Sequence, residues 1–371
     1  MSRLMKAAIW HGPGLPQTVE EVELRALGPT ELVVRIGAAN ACMTDVIDAQ
    51  PRAFPAKTPQ IRGHGAVGLV EEVGSQVRIA KPGDRVILSA TSFCGRCRFC
   101  LTNNPSQCVE IAARKQDPRG RLKDGRDVFC DANIGGFAER SIVSDIQVVP
   151  INTKVPDDEI ALLSIAGAAG AGAALLTAPV EPGSSVAVIG CGATGLGYVQ
   201  GARIAGAERI LAIDPRAHRR AFAMKLGATD AIDPGAGPVI EQIRAMTPDL
   251  GGFQGWGVDY VYEASADPAA VTDAYNIARS GGHVVLASVP WDFGAFVELP
   301  AICMGAGGKT IHSSQHGSIH ILRDFPRFVR LIEQGKLDMR GMITARYALS
   351  EIDRAFEDMR SYREVGCIVV P

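Results

Sequence analysis

A chain of 371 residues exceeds what one hydrophobic core comfortably serves, so about two domains are expected. Its 38 basic and 40 acidic residues leave a formal charge of -2, which removes any electrostatic case for nucleic acid or an anionic membrane as partner. Hydrophobic content of 47% with 41 glycines suits a compact α/β enzyme rich in tight turns, and the N-terminal residues lack the layout of an export signal, so a cytoplasmic protein is expected.

Up to about residue 150 the chain reads as short strands broken by turns, with apolar runs at 32–36, 68–73 and 85–88. The last is launched by the turn signal Lys81-Pro82-Gly83-Asp84. Within this β-rich half lie Cys94, Cys97, Cys100 and Cys108, spaced C-x2-C-x2-C-x7-C in a polar stretch. Four thiolates so close in sequence can close on one tetrahedral ion, which predicts a structural zinc lobe over about 92–110. A ferredoxin-type cluster would show a shorter last gap followed by proline, whereas Val109 follows Cys108. Disulfides fit poorly with an odd total of 9 cysteines and a reducing compartment. The uncharged run 160–180 is long enough for a membrane span, but its middle is Ala and Gly, with weak transfer energy, so a buried helix is expected.

From about 183 strands alternate with helices: strands at 185–189, 209–213, 258–263 and 283–287 predict a parallel sheet covered by helices. The segment 247–256 is longer and more irregular than a plain strand–helix connection. The tail from about 316 contains amphipathic helices around 325–333 and 351–360 and ends in a strand at 367–370.

Gly190-Cys191-Gly192-Ala193-Thr194-Gly195 fits G-x-G-x-x-G after an apolar strand and before a helix, and the next strand ends at Asp214, 22 residues beyond Gly192. Gly190 permits the tight turn, Gly192 lets backbone approach a pyrophosphate, and Gly195 allows close helix–strand packing, with Ala193 and Thr194 between them. The diphosphate would sit on helix N-terminal amides. Asp214 would accept hydrogen bonds from the adenosine ribose and repel a 2′-phosphate, favouring NAD(H) over NADP(H). Arg216, Arg219 and Arg220 lie close enough in sequence to weaken that preference, and Arg219 is a cofactor-binding candidate.

Taken with Cys42-Met43-Thr44-Asp45, Gly63-His64-Gly65-Ala66-Val67-Gly68, Lys81 to Asp84 and Gly136-Phe137-Ala138-Glu139, the chain resembles the medium-chain, zinc-containing alcohol dehydrogenase superfamily over nearly its whole length. The resemblance implies a GroES-like catalytic domain (1–163 and 316–371) interrupted by a Rossmann NAD-binding domain (164–315), a homodimer or homotetramer, and an active site in the cleft between domains. It implies that Cys42 and His64 match two of three catalytic-zinc ligands, that Asp45 orients His64, and that Thr44 passes the substrate's proton.

The pattern then departs. The third-ligand cysteine falls on Ile165, the glutamate that normally follows the liganding histidine is Gly65, a proton-relay histidine falls on Ile47, and Met43 stands where an arginine often contacts pyrophosphate. Two ligands hold zinc poorly. Cys130 is a candidate to complete a shifted site or a buried hydrophobe, Cys191 a small filler in its turn, and Asp131 a secondary acid–base candidate. His312, His316 and His320 would share a face if helical, with His316 a candidate proton donor, against the alternative of loop or solvent-facing histidines. Ile47, Ala132, Val289 and Trp291 are apolar pocket candidates, Val289 also a cofactor contact and Trp291 a stacking surface, so a small hydrophobic substrate is expected. The leading reading is an NAD(H)-dependent oxidoreductase acting on an alcohol or carbonyl. Alternatives are a reductase of an activated C=C or C=N bond that needs no catalytic zinc, and a non-catalytic NAD-binding protein.

Overall fold

The computed structural model describes residues 3–48, 56–110, 117–288, 292 and 294–371. The chain divides into two compact units: Met1–Ile165 with His320–Gln334 and Met339–Pro371, and Ala166–Ile319 with Gly335–Asp338. The first break differs from the expected 163/164 because it falls within the continuous helical stretch Asp157–Thr177, where no turn residue marks it. The second falls at His320, not 316, and the short segment Gly335–Asp338 joins the second unit.

The first unit is built on two β systems. A closed barrel runs through Leu4–Trp10, Gln17–Leu24, Gly120–Leu122, Asp127–Cys130 and Gln60–Ile61. A larger sheet centres on Glu31–Ala41, which pairs with Ala66–Val73 and Arg140–Ser144. The C-terminal strand Gly366–Val370 pairs antiparallel with the same central strand, Cys367 opposite Ala41, so the end of the chain completes the sheet that its beginning started. This strand is buried on both faces, which its near-continuous apolar sequence anticipates.

The second unit holds six parallel strands in the order Asp230–Ile232, Arg209–Ile213, Ser185–Ile189, Val258–Glu263, Ala278–Leu286, Thr310–Ser313. Numbered along the chain this is 3-2-1-4-5-6, the doubly wound dinucleotide order. Its topological switch point lies beside Ser185–Ile189, whose C-terminal end carries the glycine turn.

The apolar stretch Asp157–Thr177 has the length and hydropathy of a membrane span, yet 78% of its most apolar window is buried inside the protein. Its Ala and Gly content has a packing reason. A Cβ on Gly170 would overlap Thr194 O and lie 2.6 Å from Gly197 Cα, so small residues on both sides let it press against Ala193–Ala205. The irregular 247–256 segment is tied down by Gln254, whose amide donates to Asn276 O at 2.7 Å and Ala278 O at 3.0 Å while Lys309 Nζ donates to Gln254 Oε1 at 3.0 Å.

Candidate metal lobe, coenzyme turn and active site

In the lobe, Cys94 leads into Gly95, whose φ of +71° turns the chain back on itself. Cys97 caps the short helix Arg98–Leu101, its sulfur accepting the Cys100 N–H at 3.5 Å, and the turn Pro105–Gln107 delivers Cys108. The four sulfurs lie within 4.8 Å of one another, with Cys94 and Cys100 at 4.0 Å. Tetrahedral zinc with bonds of about 2.3 Å would place its sulfurs about 3.8 Å apart, whereas a disulfide needs about 2.05 Å. The backbone amides of Cys100 and Val109 draw the Cys97 thiol down to about 6, favouring the thiolate that a metal requires.

The coenzyme turn is shaped by two glycines that accept no replacement. Gly190 has φ +87°, and a Cβ there would lie 2.9 Å from the Ala264 and Ser265 backbone; a Cβ on Gly195 would overlap Gly190 O. Gly192 caps the helix Ala193–Ala205, which brings Ala193 and Thr194 into its first turn, and Cys191 is fully buried beneath, its thiol pushed up to about 12 by burial. Asp214, 2% exposed, accepts the Cys191 N–H at 2.9 Å and the Arg216 N–H at 2.8 Å, so its carboxylate is fixed against the turn. The three arginines separate. Arg216 lies 3.8 Å from Asp214, Arg220 pairs with Asp233 at 2.9 Å, and Arg219 lies against Gly192, where an added Cβ would meet its Nη1 at 3.6 Å. Val289 and Trp291 lie outside the described residues.

The third site gathers distant segments of the first unit. Glu31–Ala41 ends into Cys42 and the helix Met43–Asp48. Asp45 is fully buried and works in three directions: it accepts the Cys42 N–H at 2.9 Å and the Gly63 N–H at 3.2 Å, and its Oδ1 lies 3.1 Å from His64 Nδ1. Gly63, at φ +89°, makes the corner that aims His64. The Cys42 thiol donates to Thr44 Oγ1 at 3.6 Å. Asp131 comes in from the barrel, its Oδ2 3.3 Å from the same His64 nitrogen. Burial opposes charge on His64, but Asp45, Asp131 and Cys42 together outweigh it and hold the imidazole well above its usual 6.5. The turn Asp131–Asn133 keeps Ala132 at φ +47°, a strained conformation for a residue with a side chain.

Several expectations need correction or placement. The histidine trio shares no helical face: His312 is on the strand Thr310–Ser313 with Nε2 3.0 Å from His283 Nδ1, His316 is in a turn at φ +49°, and His320 caps Ile321–Glu333 with its ring 4.0 Å from Phe93. The alternation of Gly, Ser and His there offers no helical periodicity. Cys130 is a buried hydrophobe; a Cβ on Gly135 would lie 2.6 Å from its sulfur, and burial pushes its thiol up to about 12. Ile47 is buried, 2% exposed. Two residues that spacing alone does not single out border the site. Ser164 lies beside Gly65, and Arg62, 1% exposed, stands over the Trp10 ring at 5.0 Å; burial opposes charge on Asp131, but His64, and after it Arg62, holds its carboxyl below the usual range. The only signal for Arg62 is a cation set directly before the Gly-His-Gly run.

The residues around His64 do not fit a catalytic zinc, which takes three protein donors and an open position. Ile165 offers no lone pair and Asp45 is already committed to two backbone amides and the imidazole.

A doubly wound sheet with a glycine turn, joined in one chain to a β-barrel unit bearing Cys42, Thr44 and His64, defines a dehydrogenase-type oxidoreductase. Comparison with known proteins agrees. Residues 28–153 match the alcohol dehydrogenase GroES-like domain and residues 193–334 the zinc-binding dehydrogenase family. The NDMA-dependent alcohol dehydrogenase of Amycolatopsis methanolica is 30% identical over 374 residues, covering 98% of each chain. A zinc-binding-domain alcohol dehydrogenase protein from Burkholderia ambifaria superposes with TM-score 0.92 at 28% identity over 100% of both chains. Benzyl alcohol dehydrogenase from Acinetobacter calcoaceticus gives 0.90 at 27% over 99% of both. The chain belongs to the zinc-type alcohol dehydrogenase family of medium-chain dehydrogenases/reductases, and is an oxidoreductase of that type. Membership implies zinc and a nicotinamide coenzyme.

Proposed function

We propose that the chain moves a hydride between nicotinamide and the carbinol carbon of a small, largely apolar alcohol or its carbonyl, with NAD(H) preferred over NADP(H) and one zinc held by Cys94, Cys97, Cys100 and Cys108. The observation that carries this reading is the carboxylate of Asp214, fixed by two backbone amides against the Gly190–Gly195 turn, where it would meet the adenosine ribose and repel a phosphate. Nicotinamide supplies the hydride acceptor or donor. The protein's own residues handle the proton: Thr44 carries it to or from the substrate oxygen, and His64, beside two carboxylates that favour its protonated form, is its source when a carbonyl is reduced. Two relatives are named for an alcohol and for benzyl alcohol, which supports an alcohol as substrate here.

Four thiols that must stay reduced support a cytoplasmic setting. Thr310–Ser313 is the outer strand of its sheet and Ile311 is 43% exposed, which supports a homodimer or homotetramer.

A panel of primary, benzylic and secondary alcohols with NAD, followed by nicotinamide absorbance, tests the proposal. Turnover on at least one class, with NADP slower, is expected. A second reading rests on Ile165: without a Lewis acid, reduction of an electron-poor C=C or C=N bond needs only hydride and one protonated side chain. Turnover confined to enones or imines would replace the first reading with the second.

A further inference from the structure

We infer that this chain carries a single zinc per protomer, in the cysteine lobe, because the carboxylates beside His64 are both drawn to one nitrogen of its ring and the hydrocarbon of Ile165 packs on the adjoining Gly65 backbone. The inference deepens the proposed function, since it concerns the same site.

The first argument is the donor census. A catalytic zinc needs three protein donors converging from different sides. Beside His64 the donor-bearing side chains are Cys42, Asp45 and Asp131. Asp45 is 0% exposed, and turning it toward an ion would strip the Cys42 and Gly63 amides of their acceptor. Asp131 Oδ2 approaches His64 at Nδ1, the ring atom that Asp45 already engages, so the two carboxylates crowd one side of the imidazole. Among the described residues the mutually close donors here are Asp45, His64 and Asp131, and the Cys42 sulfur is not one of them. In the lobe, by contrast, all four sulfurs converge.

The second argument is space. A Cβ on Gly65 would sit 2.8 Å from Ile165 Cδ1, nearer still to its Cγ1, and 2.5 Å from Ser164 Oγ. The Ile165 side chain therefore rests directly on the Gly65 backbone, in the volume that any larger residue at 65 would take. Ile165 is 7% exposed and sits in the π-helical turn Leu163–Gly167, the local widening that sets its direction. The absence of a side chain at 65 and the branched hydrocarbon at 165 thus fit one another sterically. An ion there would find Cys42 and His64, with Asp45 and Asp131 both turned to the His64 Nδ1 and a hydrocarbon at 165.

Metal analysis of the purified wild-type chain after dialysis against a weak chelator should give about one zinc per chain, and Cys42→Ala should leave that count unchanged. Two zincs in the wild type, falling to one in Cys42→Ala, would overturn the inference. The interlock has its own readout. Gly65→Ala should lower the thermal midpoint by roughly 5 °C, and Ile165→Ala added to it should recover about half of that loss, because the overlapping atoms are gone. A Gly65→Ala midpoint equal to wild type, or no recovery in the double variant, would overturn the packing argument. Neither measurement depends on turnover. A second zinc would sink this inference and leave hydride transfer standing, whereas inactivity on every substrate class with a count of one would do the reverse.

Discussion

The cysteine lobe and the His64 site are both places where this family's chemistry would put a metal, and they are built in opposite ways. The lobe takes all its donors from one short stretch, Cys94 to Cys108, folded by a positive-φ glycine and a four-residue helix. The His64 site draws on Cys42, His64, Asp131 and Ile165, four separate segments brought together by the barrel, the central strand and a buried helix. A local site survives or fails as a unit. A dispersed site depends on each of its segments separately, so a change at one, such as 165, leaves the others in place.

That contrast can be broken most sharply at the lobe. Cys97→Ser should abolish zinc binding and lower the thermal midpoint by 10 °C or more (about 5 kcal/mol), read by metal analysis and calorimetry; retained zinc with unchanged stability would mean the lobe is no metal site. At the dispersed site Asp45→Asn should cost about 3 kcal/mol, because a buried carboxylate shared by two amides and an imidazolium loses its charge. The cost should depend on pH. His64 is held above 6.5 in the folded state, so its contribution is complete below the unfolded value and fades as pH rises through the folded one. Denaturant melts at several pH values should therefore show the gap between wild type and Asp45→Asn narrowing on the alkaline side. A gap that widens there would contradict the charged-imidazole assignment.

Smaller effects sharpen the comparison on the coenzyme side, where the turn is local and its carboxylate remote. Asp214→Ala should weaken NAD about tenfold and relax discrimination against NADP, measured by fluorescence titration with each coenzyme. Unchanged preference would remove Asp214 from the role assigned to it. The least effect is expected at Tyr198, whose fully buried hydroxyl has no hydrogen-bond partner among the described residues. Tyr198→Phe should be neutral or stabilising by up to about 1 kcal/mol by urea denaturation, and a clear destabilisation would reveal a bound water at that oxygen.

Much of the architecture was legible because its determinants are local. The glycine turn, the cysteine spacing and the alternating strands declare themselves through backbone demands and periodicities that need no partner. Four boundaries or pairings did not: the unit break inside Asp157–Thr177, the return at His320, the scattering of the histidine trio, and the meeting of Asp131 with His64. Each depends on contacts between residues far apart in sequence, which spacing does not encode.

By itself the sequence determined a glycine turn of dinucleotide type and a close spacing of four thiols, since these follow from which atoms each residue carries. Only the tertiary structure decided that Asp45 is fully committed, that Asp131 joins it on His64, and that Ile165 closes over Gly65. Those are facts of distance and burial, and a chain acquires them only when its separate segments compete for the same interior volume.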